Sequence, residues 1–199
     1  MFKAIAIAAL GLSLHGCSSL IARTTGPEPI GKAPGERTLS MTLQDNSIET
    51  TAEVNMLKAD SRFREANVNV VSFYGSVLLV GQVQDEELKQ KAEKIVRDIA
   101  EVRQVHNELT VGSISYYGER ASDGLISTNV RTRLALEKGF PSSRTKVFTV
   151  AGTVYLLGKL TNTEADKAVL IASQVGGIRK IIKMIDYLPE PAATSVTPN

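Results

Sequence analysis

The 199-residue chain has no Trp, five Tyr, five Phe, one Cys and two His. Each scarcity excludes something. A single Cys cannot form an intrachain disulfide. Beyond the N-terminal apolar run, His106 is the only histidine, and no second His, Cys or carboxylate cluster accompanies it at metal-ligand spacing. It alternates out of phase with the apolar residues around it, so it is expected to face solvent from a strand. There is no G-x-S-x-G, P-loop lysine or H-E-x-x-H. Neither an enzyme nor a metal or other cofactor is expected. A net charge of +2 is too near zero to suggest a nucleic-acid binder. Past the N-terminus no apolar run is long enough to span a bilayer.

The N-terminus is where apolar residues do concentrate. Lys3 precedes a short run from Ala4 to Leu14, which fits the h-region of a secretory signal over residues 1–16. The run ends in Leu14-His15-Gly16-Cys17, which resembles a bacterial lipobox. That resemblance implies lipidation of Cys17, including palmitate or a similar acyl chain on the new amine. Each buried methylene adds about 0.8 kcal/mol, so several chains anchor firmly. Ser18 rather than Asp after the Cys resembles the outer-membrane sorting signal. Residues 17–44 are rich in Gly, Pro, Thr and Ser and read as a flexible tether.

The rest of the chain repeats itself. Val70 to Val83 reads V-V-S-F-Y-G-S-V-L-L-V-G-Q-V, and Val147 to Leu160 reads V-F-T-V-A-G-T-V-Y-L-L-G-K-L. Gly152 and Gly158 fall 77 residues after Gly75 and Gly81. Two β-branched runs broken by Gly mark a tight hairpin in each copy. A self-match of this kind marks duplication of one folding unit. The first module, 45–111, opens with a helix whose face is Ile48, Ala52, Met56 and Ala59. Its hairpin covers Val68 to Phe73 and Ser76 to Val83. Asp85-Glu86-Glu87 starts a second helix, where acids suit the dipole, with Leu88, Ala92, Ile95 and Ile99 inward. A strand through Val105, Asn107, Leu109 and Val111 closes the unit.

A connector over 112–121 leads to the second module, 122–187. Ser122 or Asp123 is expected to cap its first helix, whose core face is Ile126, Val130 and Leu134. After the hairpin, Thr161 or Thr163 precedes a helix with Ala165, Ala168, Val169, Ala172 and Val175 inward. Gly176-Gly177 ends it, and Ile178 to Tyr187 is the last strand. Residues 188–199 have the composition of a disordered tail.

The two modules differ in charge. Residues 45–111 hold 8 basic and 12 acidic residues, a net of −4; residues 122–187 hold 10 basic and 5 acidic, a net of +5. Arg131, Arg133, Lys138, Arg144 and Lys146 cluster around the second module's first helix. On a helical wheel Leu125 and Leu136 coincide, away from the core face, with Asn129, Thr132 and Arg133 beside them. Such a helix can lie at a membrane surface, its leucines in the acyl boundary and its arginines among anionic headgroups. It can equally be an ordinary wet helix whose leucines another part of the chain covers. Val54 and Leu57 of the first module also lie off its core stripe, but Glu49 and Glu53 beside them would repel anionic lipid.

A lipobox, a tether and two α-β-β-α-β units with V-x-L-x-G hairpins resemble the dual BON-domain outer-membrane lipoproteins, a family associated with division and outer-membrane stress. The residues that carry this are Val68 to Val83, Val147 to Leu160, Val102 to Asn107 and Ile178 to Ile181. The resemblance implies an α+β fold of two tandem αββαβ domains, each a three-stranded mixed sheet packed by two helices. It implies a non-enzymatic envelope protein, lipid-anchored in the outer membrane and facing the periplasm. Its partner would be an anionic phospholipid membrane, contacted through Leu125, Asn129, Arg131, Thr132, Arg133 and Leu136, in support of outer-membrane integrity. The alternative is a periplasmic structural adaptor, assembling through its αββαβ modules with an envelope protein or with itself. The acidic and basic modules could also pair within one chain.

Overall fold

The computed structural model describes residues 35–112 and 118–190. The lipobox and Cys17 therefore lie outside the described residues, as does the proposed tail from 191 onward.

Thr38 starts the first helix, α1 (Leu39–Ala59), its hydroxyl accepting the Met41 amide at 3.2 Å. The helix thus begins within the stretch read as tether, because a Thr N-cap supplies a start that composition hid. Ile48, Ala52 and Met56 are buried as expected, while Ala59 is exposed. Strands β1 (Asn67–Phe73) and β2 (Ser76–Val83) pair antiparallel. They are joined by Tyr74 and Gly75, with φ of 55° and 72°. Positive φ at both turn residues is the geometry of the tight two-residue hairpin. Asp85 caps α2 (Glu86–Arg97) by accepting the Leu88 amide at 2.7 Å. Strand β3 (Gln104–Val111) then lies parallel to β2, giving a mixed sheet in the order β1-β2-β3.

The second module repeats this. Its elements are α3 (Gly118–Leu136), β4 (Thr145–Val150), β5 (Thr153–Leu160), α4 (Asn162–Ser173) and β6 (Lys180–Tyr187). Ala151 and Gly152 make the turn, with φ of 48° and 72°. Thr161 and Glu164 form a reciprocal capping box at the start of α4. The second glycine of each repeat is fixed by a close approach. A Cβ on Gly81 would come within 1.8 Å of the Asn67 carbonyl oxygen, and one on Gly158 within 2.3 Å of that of Arg144.

An aspartate on the first helix of each module holds its hairpin. Asp45 accepts the Tyr74 and Gly75 amides at 3.0 and 2.9 Å, the Ser72 hydroxyl at 2.7 Å and the Arg37 guanidinium at 2.8 Å. Asp123 accepts the Ala151 and Gly152 amides at 2.7 and 2.9 Å. Asp123 is therefore not the cap of α3, which starts at Gly118 inside the expected connector. Two adjacent turn amides point the same way and form a small anion cradle, and the carboxylate fills it.

Each module has a core between its helices and one sheet face. A third apolar cluster joins the modules: Val71, Phe73, Tyr74, Leu78 and Val80 pack with Tyr155, Leu157 and Met184. The sheets therefore meet face to face with helices on the outer sides. Polar contacts close the seam. Lys146 reaches Glu49 at 2.8 Å and the Ser72 carbonyl at 3.1 Å, and Arg103 pairs with Asp186. The Lys159 ammonium lies 4.9 Å from the centre of the Tyr74 ring. His106, expected in solvent, is half-buried, and burial lowers its pKa against the opposing pull of Glu108 and Asp186. It sits opposite Leu78 in the sheet register.

Burial raises the Asp45 carboxyl pKa, but Arg37, the two amides and Ser72 outweigh it, and the net result is a lowered pKa. A lowered folded pKa stabilises the protein above the ordinary value of 3.8, and that contribution is lost as pH falls through the folded pKa. Asp45→Asn is expected to lower the urea midpoint at neutral pH and to flatten its decline on acidification. Asp45→Ala should cost about 3 kcal/mol at neutral pH, since it strands a partly buried cation and two turn amides.

Candidate membrane-facing helix

Helix α3 has two sides of opposite character. Asp123, Ile126, Ser127, Val130 and Leu134 are buried. Ser127 is satisfied by donating to the Thr149 hydroxyl at 2.8 Å. On the far side Leu125 is 73% exposed and Leu136 is 80% exposed. Eleven residues separate them, which is about three turns or roughly 16 Å along the axis. Asn129 and Thr132 lie exposed in the space between.

The arginines are held by the helix itself. Arg131 donates from Nε to the Ser127 carbonyl and from Nη2 to the Thr128 hydroxyl, both at 3.2 Å. Arg133 donates from Nε to the Asn129 amide oxygen at 3.3 Å. Neither forms an ion pair among the described residues. All six residues expected at the lipid surface are exposed; Leu125, Asn129, Thr132, Arg133 and Leu136 share the outward side of α3, while Arg131 lies on its flank.

The larger cationic cluster does not survive intact. Arg144 pairs with Glu164 at 2.6 Å, and Lys146 is committed to Glu49 across the seam. Both side chains serve the fold, which leaves Arg131, Arg133 and Lys138 on the outer surface. Sister helix α1 also exposes apolar residues: Leu39, Leu43, Val54 and Leu57. Leu39 and Leu43 escaped the sequence reading because they fell in the supposed tether. The core positions Ile48, Ala52 and Met56 correspond to Ile126, Val130 and Leu134, each 78 residues on. By that offset Glu53 stands where Arg131 stands in α3. The two helices present opposite charge at equivalent places.

Among the described residues no group of His, Cys, Asp and Glu could hold a metal ion. No described helix is long and apolar enough to cross a membrane. Burial raises the Tyr155 phenol to about 12, with Glu108 adding to the effect, so it stays neutral in the seam.

Leu125→Glu and Leu136→Glu are expected to leave thermal and urea unfolding unchanged within about 0.5 kcal/mol, as exposed positions should. Val130→Asp, on the opposite side, should abolish the cooperative transition. Circular dichroism melts of the three variants check this.

The BON domain family matches residues 44–113 and 122–189. The chain is 32% identical over 157 residues to the outer membrane lipoprotein DolP of Haemophilus influenzae, covering 78% of this chain and 81% of that protein. It is 30% identical over 152 residues to a 21 kDa hemolysin of Actinobacillus pleuropneumoniae, covering 76% and 78%. With osmotically-inducible protein Y of Escherichia coli it shares 24% identity over 145 residues, 70% of each chain. Two matched repeats, together spanning more than half of the sequence, and this degree of identity place the chain in the BON-domain family, among the dual-BON outer-membrane lipoproteins.

Proposed function

We propose that the protein binds anionic phospholipid through the exposed side of α3 and so supports the integrity of the outer membrane. The observation that carries this is the pair Leu125 and Leu136, largely exposed on a helix whose outward cations have no acidic partner among the described residues. As a BON-domain relative of DolP the chain is a non-enzymatic protein. In this reading acyl chains on Cys17 hold the protein to the outer membrane with the modules in the periplasm, and α3 adds a reversible second contact.

The magnitudes fit that division of labour. Two leucines entering the acyl boundary contribute about 2 kcal/mol each. Three cations near anionic headgroups add about 1 kcal/mol each. Less the cost of immobilisation, this gives a weak contact. The acylated Cys17 would supply the permanent one, since more than one chain is needed for stable anchoring. An adaptor that stacks its modules through their sheet faces is not favoured, because those faces are already spent on each other within the chain.

Co-sedimentation of residues 18–199 with liposomes tests the reading. Binding should rise with the fraction of anionic lipid, fall as salt rises, and drop for Leu125→Glu and for Arg131→Ala/Arg133→Ala. Equal binding to neutral vesicles would overturn it. Cys17→Ser should release the full-length protein from the membrane fraction and remove the acyl mass from its N-terminal peptide.

A further inference from the structure

Helix α1 has an outward side that resembles that of α3 in an unexpected way. Its residues Ile48, Ala52 and Met56 are buried, while Leu43, Asn46, Thr50 and Val54 are exposed on the opposite side. At about 100° per residue these four fall within about 80° of one another. Leu39 and Leu57, both exposed, extend the same line at either end. On α3, Leu125, Asn129, Thr132 and Leu136 are exposed and fall within about 60°. Leu43 and Val54 are eleven residues apart, and so are Leu125 and Leu136. Each helix thus presents an apolar residue, an Asn, a Thr and a second apolar residue, in that order, over about 16 Å.

We propose that these stripes are complementary, so that α1 of one copy of the chain receives α3 of a second copy. The inference needs the exposed side of α3 but not its contact with lipid. Laid parallel with Leu43 against Leu125, the two helices bring Val54 against Leu136. The Asn and Thr at the centre of one stripe then face the Asn and Thr of the other. Polar residues paired inside an apolar helix seam fix its register, because a slip sets them against leucine. Charge selects the same orientation. Glu53 lies about 70° to one side of the α1 stripe, and Arg133 about 70° to the other side of the α3 stripe. In a parallel pair those two flanks meet, and Glu53 stands level with Arg133 to within about 3 Å along the axis. Both are exposed, and neither forms an ion pair among the described residues. Antiparallel packing would leave them on opposite flanks.

The contact forms between copies. Within one chain α1 and α3 lie on the outer faces of different sheets, with the seam between them, so their stripes do not meet. A symmetric pair of α1 helices would set two modules of net −4 together, whereas α1 against α3 sets −4 against +5. Every copy carries one stripe of each kind, so association is head to tail and can propagate. One helix pair buries less than the roughly 1,200 Å² of stable complexes, which makes the contact a weak and transient one.

Sedimentation velocity of residues 18–199, which retain the whole compact unit from Gly35, tests this without lipid, so its outcome is read separately from liposome binding. The average mass of the wild type should rise from monomer as its concentration approaches about 1 mM, the range of weak contacts. Leu43→Glu, which spoils the α1 stripe, and Leu125→Glu, which spoils the α3 stripe, should each be monomeric alone. Mixed in equal amounts they should form a dimer and nothing larger, because one intact stripe of each kind remains. Glu53→Arg should weaken wild-type association by about fivefold, and adding Arg133→Glu should restore it. Unfolding curves matching wild type show that the variants are folded. A wild type that stays monomeric throughout, association by either leucine variant alone, or a mixture that stays monomeric overturns the proposal. Association by Leu125→Glu alone would specify the symmetric α1 pair instead.

Discussion

The seam between the two sheets is the constraint on which the rest of the structure depends. A three-stranded sheet with helices on one face leaves its other face wet, and strands such as Ser76–Val83 and Thr153–Leu160 are apolar on both faces. Neither module can therefore stand alone without exposing Leu78 and Val80, or Tyr155 and Leu157. Packing those faces together buries both at once and pushes the four helices to the outside. It also decides which helix sides remain free. Helix α3 is outward because it packs on the face of its own sheet that is turned away from the seam. The charges divide accordingly: Lys146 and Glu49 are drawn into the seam, while Arg131 and Arg133 are left on the surface.

Duplication made the two modules alike in everything that folding needs. Asp45 and Asp123 clamp equivalent hairpins, and Gly81 and Gly158 admit equivalent carbonyls. They differ in what faces outward. Glu53 and Arg131 occupy sister positions, and neither is needed by its core, so charge could change sign there without disturbing either fold. Opposite charge on the outer sides of the two helices follows from such unconstrained sites. The exposed leucines do not correspond between copies either: by the same offset Leu125 stands opposite Ser47 and Leu136 opposite Lys58. Both helices expose apolar residues, but at different positions, and only in α3 do arginines flank them.

Much of this was legible in the sequence, and the reasons for the rest are physical. Hairpins were readable because a two-residue turn leaves a local mark, the Gly at fixed distance from two β-branched runs. The helix cores were readable from spacing, and Leu125 with Leu136 from the same wheel. Long-range partners were not. Asp123 has the chemistry of an N-cap and stands near a helix start, yet its carboxylate is used 28 and 29 residues away on a turn. Arg144 and Lys146 looked like part of a basic surface until Glu164 and Glu49 were brought to them by packing. His106 alternated as a wet residue, which is right for an isolated sheet and wrong for one whose second face is covered. The unbroken apolar runs in β2 and β5 were the one local sign of that cover, since a sheet wet on one side should alternate.

The seam also governs how an anchor could act on the modules. The compact unit begins at Gly35, and its first residues lie across the seam rather than beside it. The Tyr74 hydroxyl donates to the Gly35 carbonyl at 2.6 Å, and a Cβ on Gly35 would meet the Leu188 and Arg144 side chains of the second module. Arg37 stacks 4.5 Å from the centre of the Phe73 ring while its guanidinium holds Asp45. Tension arriving along the chain at this point is resisted by groups of both modules and by the clamp of the first hairpin. It would not peel one module from the other, because the strap is bonded to one and packed against the second. The first residues of the compact unit thus tie the turn of the first hairpin to the second module.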